Sequence, residues 1–354
     1  MLRNLSKLLI LLLLTPALAD ARPPIEPQPA QQAQQAPAQP AQPVPAQPAP
    51  PPAQAAQASA PMPAPMPAPM PADIPGADLQ ILLDRAGFSP GVIDGKPGRN
   101  TKKALSVFQA AHDLPVTGKL DPVTWQNLTA AAGNQVVAEY TITPDDANGP
   151  FTPEIPEDME EKAKLDRLGY TSVLEMLGER HHSTPELLRQ LNPQARFAAG
   201  ETIRVPNVRP VSSEPQKAPE GVRIVVTKDD WSLTVERGDD VLFYAPVTAG
   251  SEHDPLPIGQ WKVKGVARNP TFNYNPDLFW DAEPGDSKAK IPAGPNNPVG
   301  LVWIDLDKEH YGIHGTPEPR TIGRTTSHGC VRLTNWDALT VASLVGPGTP
   351  VIFK

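Results

Sequence analysis

The chain contains one cysteine, Cys330, in a segment whose residue types suit nucleophilic catalysis. The sequence around it reads SHGCVRL over 327–333, and His314 lies sixteen positions before the cysteine, in the segment HGT over 314–316. A thiol at its reference pKa of about 8.5 is mostly protonated at neutral pH, so a catalytic cysteine needs a nearby base or positive charge. These residue types predict a Cys–His site in which the thiol is the nucleophile.

Two histidines are candidates for the base. His328 is two residues from Cys330, so on an extended strand the two side chains would share a face but lie about 6–7 Å apart. His314 is predicted on a short strand and has no such constraint once the chain loops back. We therefore predict His314 as the base and give His328 a supporting role in shaping the pocket. Gly329 leaves the backbone open, so consecutive N–H groups over 328–330 are available to an oxyanion.

Zinc binding is the competing chemistry for these histidines. His310 and His314 are four positions apart, and on a helix such a pair can share a zinc ion. Gly312 and the β-branched Ile313 indicate a strand instead, where four residues span about 13 Å and cannot share one ion. The sequence therefore predicts no metal and no cofactor.

The N-terminal residues predict export. Arg3 and Lys7 precede an apolar run over 8–14, and Ala17 and Ala19 form a small-x-small cleavage site, which is typical of a signal peptide over residues 1–19. A retained anchor is the alternative, although the run is shorter than the roughly 20 residues that span a bilayer. We expect a periplasmic protein that is not an integral membrane protein. There, a single cysteine cannot form an internal disulfide.

The overall charge excludes one class of partner. The net charge of −8 and pI near 5.4 argue against nucleic-acid binding. Residues 20–75 are almost entirely Pro, Ala and Gln, which predicts a disordered spacer rather than a tether.

Residues 76–132 have the pattern of a small three-helix domain. Helices are predicted over 78–86, from an N-cap at Asn100 or Thr101, and from Asp121-Pro122. The Asp-Gly turn at 94–95, the pair Phe-Gln at 108–109 and LPVTG at 114–118 resemble the peptidoglycan-binding domain 1 family. That resemblance implies wall binding.

In residues 138–208, two short helices are predicted around His181 and His182, followed by Leu-Asn-Pro at 191–193 and a Gly-x-x-Ile-x-Val-Pro strand at 200–206. This order resembles a degenerate LysM glycan-binding module. The predicted first strand at 140–143 departs from the pattern, because about 25 residues separate it from the helices. The paired histidines are expected on the helix surface and not as ligands.

After a linker at 209–220, residues 221–354 change to strand patterns with one helix capped at Thr334. The predicted fold class is multidomain: an all-α N-terminal domain, a small α+β LysM-like segment and a mainly-β, β-sandwich-like catalytic domain with few helices. A long segment over 268–298 is rich in Pro, Asn and Gly. A loop of this length is often functional, so we expect either a lid or an excursion packed on the sheet.

HGT followed by SHGCVRL resembles the signature of the YkuD-type, ErfK/YbiS-like L,D-transpeptidases, and the resemblance covers roughly 221–354. It implies that Cys330 is the nucleophile and His314 the base. The third member of the family's triad maps to Gly315, which can act only through its backbone carbonyl. Arg332 is predicted to hold a substrate carboxylate because its guanidinium suits that group, with a structural ion pair as the alternative. The other predicted substrate-binding residues, on or beside the motif, are Ser327, Tyr311 and Thr316.

The resemblance implies cleavage of the bond before the terminal D-Ala of a tetrapeptide stem, followed by transfer to an amine. The expected partners are peptidoglycan stem peptides and glycan, and a wall-linked lipoprotein as one acceptor. A hydrolase on the same Cys/His site and a non-catalytic wall-binding protein remain alternatives.

Overall fold

The computed structural model describes residues 70–71 and 73–354. The predicted signal peptide over 1–19 and almost all of the predicted spacer lie outside these residues. No helix in the described part of the chain is long and apolar enough to cross a membrane.

The N-terminal region is a bundle of three helices: α1 (Gly76–Arg85), α2 (Arg99–Ala111) and α3 (Pro122–Ala132). The cap predicted at Asp121 is confirmed, because its side chain accepts hydrogen bonds from the N–H groups of Val123 and Thr124. The cap predicted at Asn100 or Thr101 is wrong, since α2 begins at Arg99, after Gly98. The side chain of Asn100 instead donates to the Ile322 carbonyl of the C-terminal region (3.0 Å).

The bundle shares its apolar core with the C-terminal region. Leu82, Phe108 and Leu128 are fully buried, and Tyr244 from a strand of the C-terminal sheet belongs to the same cluster. The backbone of Tyr244 also exchanges 2.9 Å hydrogen bonds with Gly87 and Ser89. The helices and the sheet therefore pack as one body.

The middle region consists of two antiparallel strands that enclose four short helices. In chain order these are β1 (Val137–Thr141), α4 (Pro144–Asn148), α5 (Met159–Ala163), α6 (Val173–Arg180), α7 (Pro185–Leu191) and β2 (Thr202–Pro206). Buried Ile142, Leu177 and Ile203 form part of its core. The two helices predicted around His181 and His182 are present.

The prediction that both histidines lie on the helix surface is wrong for His182. Its side chain is buried, its Nδ1 lies 3.0 Å from a carboxylate oxygen of Asp84, and its ring stacks on Trp336. Arg209, the first residue of the predicted linker, bridges the Asp84 and Asp337 carboxylates. One buried charged cluster therefore joins the bundle, the middle region and the C-terminal region.

The C-terminal region is mainly β, as predicted. Its strands are β3 (Val222–Thr227), β4 (Ser232–Arg237), β5 (Asp240–Pro246), β6 (Thr248–Ala249), β7 (Gly259–Arg268), β8 (Phe272–Tyr274), β9 (Ala289–Ile291), β10 (Val302–Leu306), β11 (Gly312–His314), β12 (Val331–Arg332) and β13 (Pro350–Phe353). Helix α8 (Asn335–Leu344) precedes β13, and short 3-10 helices span Pro276–Leu278 and Pro319–Thr321.

Nine of these strands form one sheet in the order β5-β4-β3-β13-β7-β10-β11-β12-β6, while β8 and β9 form a separate hairpin. The edge strands β5 and β6 are separated in the chain only by Val247, so the sheet is nearly closed like a barrel. The expected sandwich of two sheets is therefore corrected to one continuous sheet. The reason is β7, which is long enough to pair with β13 at one end and with β10 at the other.

The barrel-like sheet is filled by alternating apolar side chains. Ile224, Val235, Ile304 and Val351 point inward and are fully buried, as period-two patterning requires. Helix α8 packs against this core, and the cap predicted at Thr334 is confirmed by its bond from the Asp337 N–H (3.2 Å). This packing fixes the strands that hold the candidate site.

Candidate active site

The pairing of β11 with β12 brings two predicted site residues, His314 and Arg332, to one face of the sheet. The strands are parallel, with Ile313 opposite Val331 and His314 opposite Arg332. Ile313 and Val331 are fully buried in the core, so the alternating side chains of His314 and Arg332 project from the other face. Cys330 directly precedes β12, and the charge of Arg332 acts on the pKa of both Cys330 and His314.

His314 is buried and has a defined tautomer. Its Nδ1 lies 2.7 Å from the Gly315 carbonyl oxygen. Because a carbonyl only accepts hydrogen bonds, Nδ1 carries the proton and Nε2 has a free lone pair. The ring stacks on Trp303, with 5.5 Å between ring centroids. Burial, helped by the nearby charge of Arg332, lowers the pKa of His314 to about 3, so the imidazole is neutral at physiological pH.

Cys330 is half-buried, and its Sγ lies 3.7 Å from the carbonyl oxygen of His310. Burial raises the pKa of the Cys330 thiol, although the N–H of Gly312 and the charge of Arg332 act in the opposite direction. The resting site therefore holds a neutral thiol and a neutral imidazole, and not a thiolate–imidazolium ion pair.

Ser327 and Thr316, both predicted to bind substrate, have their hydroxyl groups in bonds within the protein. Ser327 is buried, donates to the Cys330 carbonyl (2.6 Å) and accepts from the Gly250 N–H (2.7 Å). Thr316 is also buried and accepts from the Glu318 N–H (3.2 Å). In this structure Ser327 holds the turn that presents the thiol, because its hydroxyl is the centre of that turn's hydrogen bonds.

Gly329 and Tyr311 pack together beside the thiol. Gly329 has a φ of +93°, in the region that favours glycine, and a Cβ there would lie 2.8 Å from the Tyr311 ring. Burial raises the pKa of Tyr311, and the neighbouring Cys330 adds to this rise. Any larger residue at 329 would displace Tyr311 from the side of the thiol.

Arg332 is half-buried, and within residues 70–71 and 73–354 no carboxylate lies within 4 Å of its guanidinium. Burial lowers its pKa, while Cys330, Glu318 and Asp281 act in the opposite direction. Among the described residues, Arg332 therefore does not form the structural ion pair that was the alternative. A partly desolvated guanidinium two residues after Cys330 is suited to an incoming carboxylate.

Comparison with known proteins supports two of the resemblances, those of the catalytic domain and of the N-terminal bundle. The model of the YkuD family, the L,D-transpeptidase catalytic domain, matches residues 221–353, and that of a peptidoglycan binding domain matches residues 77–128. The L,D-transpeptidase YkuD of Bacillus licheniformis is 30% identical over 182 residues, which cover 51% of this chain and 92% of the relative. YkuD of Bacillus subtilis is 32% identical over 171 residues, or 48% of this chain and 85% of the relative. The chain belongs to the YkuD family of L,D-transpeptidases.

Among solved structures, an L,D-transpeptidase from Mycobacterium smegmatis matches with 21% identity and a TM-score of 0.31, over 38% of this chain and 58% of its own. Membership of the family makes the chain an enzyme of the L,D-transpeptidase class with a catalytic domain that acts on peptidoglycan. An enzyme that acts on the cell wall works outside the cytoplasm.

His328 of this L,D-transpeptidase is bound to the long loop over 268–298. Its Nε2 lies 2.8 Å from a carboxylate oxygen of Asp281, and its ring packs edge-on against Phe279. Asp281 was not singled out in the sequence analysis, because nothing in its local sequence indicates a partner 47 positions away. Trp280, which is exposed, stacks on His253 and lies 5.8 Å from the ring of His328.

The long loop is built on the β8–β9 hairpin and rests on a segment inserted between α4 and α6, residues 149–168, here called the inserted segment. Tyr274 and Ile291 of the hairpin share a buried cluster with Leu168 of the inserted segment. Leu168 also exchanges backbone hydrogen bonds with Ala293 (3.0 Å) and Asn296 (3.1 Å). The roughly 25 residues that depart from the LysM pattern therefore support the loop beside the active site.

Proposed function

We propose that the enzyme cleaves the bond between the diamino acid and the terminal D-Ala of a tetrapeptide stem and transfers the acyl group to an amine. The observation that carries this proposal is the β11–β12 register, which places His314 opposite Arg332, with Cys330 directly before β12. This arrangement offers a nucleophile, a base and a carboxylate-binding group together.

In the first half-reaction the Cys330 sulfur attacks the carbonyl carbon of the diamino acid while its proton moves to Nε2 of His314. Consecutive N–H groups over 328–330 stabilise the oxyanion. The tetrahedral intermediate then breaks its C–N bond, and the proton on His314 goes to the departing amine of D-Ala. Arg332 holds the carboxylate of that D-Ala. The Gly315 carbonyl keeps the Nδ1 proton of His314 in place throughout.

In the second half-reaction an amine attacks the thioester and gives its proton to His314. The sulfur leaves and regains a proton, and the amine bears the acyl group. Two stems joined in this way form a 3-3 cross-link, and a lysine of a lipoprotein would give wall attachment. Water in place of the amine would make the same site a carboxypeptidase.

The accessory regions and location complete the proposal. Residues 76–132 bind peptidoglycan, and residues 138–208 are a LysM-like segment that binds glycan, supported by the resemblance and by the β1–β2 pair around its helices. Residues 1–19 direct export to the periplasm.

The test is incubation of the full-length enzyme with disaccharide-tetrapeptide, with the products read by mass spectrometry. The proposal expects a dimer that has lost one D-Ala, and a carbapenem adduct on Cys330. Tripeptide alone would assign the hydrolytic reaction. Absence of both products and of the adduct, with Cys330→Ala indistinguishable from the wild type, would overturn the assignment of the nucleophile.

A further inference from the structure

Asn335, the first residue of α8, connects the Gly315 backbone to the middle region. Its Oδ1 accepts a hydrogen bond from the Leu301 N–H (3.0 Å), and its Nδ2 donates to the Pro295 carbonyl (3.1 Å). An N–H can only donate and a carbonyl can only accept, so these two partners fix the orientation of the amide.

The remaining bond of the Asn335 amide goes to Glu179 of α6. Nδ2 lies 3.0 Å and 3.2 Å from the two carboxyl oxygens of Glu179, and Tyr170 donates to the same carboxyl (3.2 Å). Burial raises the pKa of Glu179 to about 8, although both hydrogen bonds act against this rise. Glu179 is therefore a mostly neutral group that comes from the LysM-like segment, outside the catalytic domain.

Asn335 packs directly against the backbone that orients the base. A Cβ added at Gly315 would lie 2.2 Å from Asn335 Oδ1, and one at Gly300 would lie 1.9 Å from the same atom. The Gly315 N–H is bound to the Val302 carbonyl (3.2 Å). The 314–315 peptide is held through its N–H and the Gly315 Cα packs against Asn335, so the backbone rotation at Gly315 that would turn its carbonyl is restricted.

We propose that Glu179 and Asn335 are positioning residues for His314, because they fix the peptide whose carbonyl accepts the Nδ1 proton of that histidine. The proposal rests on the proposed role of His314 as the base. It assigns a part of the catalytic geometry to the middle region of the chain. Glu179 contacts neither the reacting atoms nor His314, and acts only through Asn335.

The test compares Glu179→Ala with Glu179→Gln in the full-length enzyme. The glutamine keeps a neutral acceptor of the same shape for the Asn335 amide, while alanine leaves Nδ2 without that partner. Loss of alignment lowers the rate of Cys330 acylation roughly tenfold to hundredfold in Glu179→Ala with little change in the KM of the donor. Glu179→Gln is expected to keep most of the wild-type rate of acylation. Tyr170→Phe is the matched control, because it removes the other hydrogen bond of the same carboxyl and leaves the Asn335–Glu179 contact in place.

A second readout needs no substrate. In protein labelled with ¹⁵N-histidine, the ring nitrogen shifts of His314 report which nitrogen carries the proton. The wild type, Glu179→Gln and Tyr170→Phe are expected to keep the proton on Nδ1, whereas Glu179→Ala is expected to show a mixture of tautomers. This measurement decides the proposal even if the enzyme transfers no acyl group, so its failure is distinct from that of the proposed function.

The proposal is overturned if folded Glu179→Ala keeps both the wild-type acylation rate and a single Nδ1–H tautomer. If Glu179→Ala does not fold, Asn335→Asp takes its place, since it removes the amide donor and places a second carboxyl against Glu179. A wild-type tautomer and rate in that variant would equally overturn it.

Discussion

Nε2 of His328 lies 2.8 Å from a carboxylate oxygen of Asp281, so the histidine nearest the thiol in sequence is bound to the long loop. His314, sixteen positions away, is instead on the strand beside Cys330 and has its Nδ1 proton bound by Gly315. The two histidines therefore have different partners and are expected to respond differently to substitution.

Replacement of His314 by Gln is expected to slow acylation of Cys330 by about 10²- to 10⁴-fold, because the general base is lost. His328→Gln, the matched control, retains the base and is expected to cost far less. Stopped-flow or mass-resolved adduct formation with a carbapenem measures both. A larger loss in His328→Gln than in His314→Gln would reverse the assignment of the base.

Arg332→Gln is expected to lower kcat/KM for the tetrapeptide donor by roughly 10- to 100-fold, because a hydrogen bond between charged groups is lost. A donor whose terminal D-Ala is an amide offers no carboxylate. The wild type should therefore favour the acid over the amide, and Arg332→Gln should treat the two nearly alike. Equal discrimination by both proteins would show that the carboxylate is held elsewhere.

Gly315→Ala is expected to destabilise the fold by about 1–3 kcal/mol, because its new methyl group overlaps Asn335 Oδ1. Gly265→Ala in β7 is the control, since a Cβ there meets no heavy atom within 4 Å. Urea denaturation of the two variants gives the comparison. Equal stability of both variants would mean that Asn335 moves to make room for the new methyl group without loss of stability.

The contribution of Glu179 to the stability of the enzyme is expected to fall as pH rises from about 4.5 to about 8, because the pKa of Glu179 is raised from 4.5 to about 8 on folding. The lowered pKa of His314 acts in the opposite direction below about 6.5, so the test compares the wild type with a variant that lacks only the Glu179 carboxyl. In that interval the folded state binds the Glu179 proton more tightly than the unfolded state, so for this group a rise in pH favours unfolding, by on the order of 5 kcal/mol. The neighbouring Glu175 adds to the raised pKa. Thermal denaturation across this range should show that the stability of the wild type relative to Glu179→Gln falls as pH rises, and parallel profiles would contradict the prediction.

Arg209→Met is expected to destabilise the enzyme by about 3–5 kcal/mol, since it leaves the buried carboxylates of Asp84 and Asp337 without their shared cation. Arg223→Met is the control, because that arginine is more exposed and its pair with Glu236 is worth about 1 kcal/mol or less. Chemical denaturation at neutral pH measures the difference. Similar losses in both variants would mean that the buried cluster does not hold the regions together.

The parts of the site that the sequence predicted are those that depend on local spacing. The strand at His314 and the helix cap at Thr334 follow from backbone preferences within a few residues, and the structure contains both. Gly329 likewise has the positive φ that favours glycine. The sandwich was wrong because strand patterns indicate which residues point inward but not which strands lie side by side. The length of β7, which joins the two halves of the sheet, becomes meaningful only once its partners are known.

The parts that were missed depend on contacts between distant segments. His182 was expected on a helix surface because its helix alone offers no partner, and Asp84 lies 98 positions before it. Asp281 and Glu179 look like ordinary surface acids in sequence, yet each is bound to a group next to the motif residues. One sequence does not indicate such pairs, because the two residues come into contact only after the chain has folded.

The shared core around Tyr244 sets a mechanical property of the enzyme. A wall-binding bundle on a flexible hinge would let the thiol search a volume around the point where the bundle is attached. Here the bundle's backbone is hydrogen-bonded to a strand of the catalytic sheet, and the two bury the same tyrosine. The distance from the bundle to the thiol is therefore fixed by the fold and is not set by the swing of a hinge.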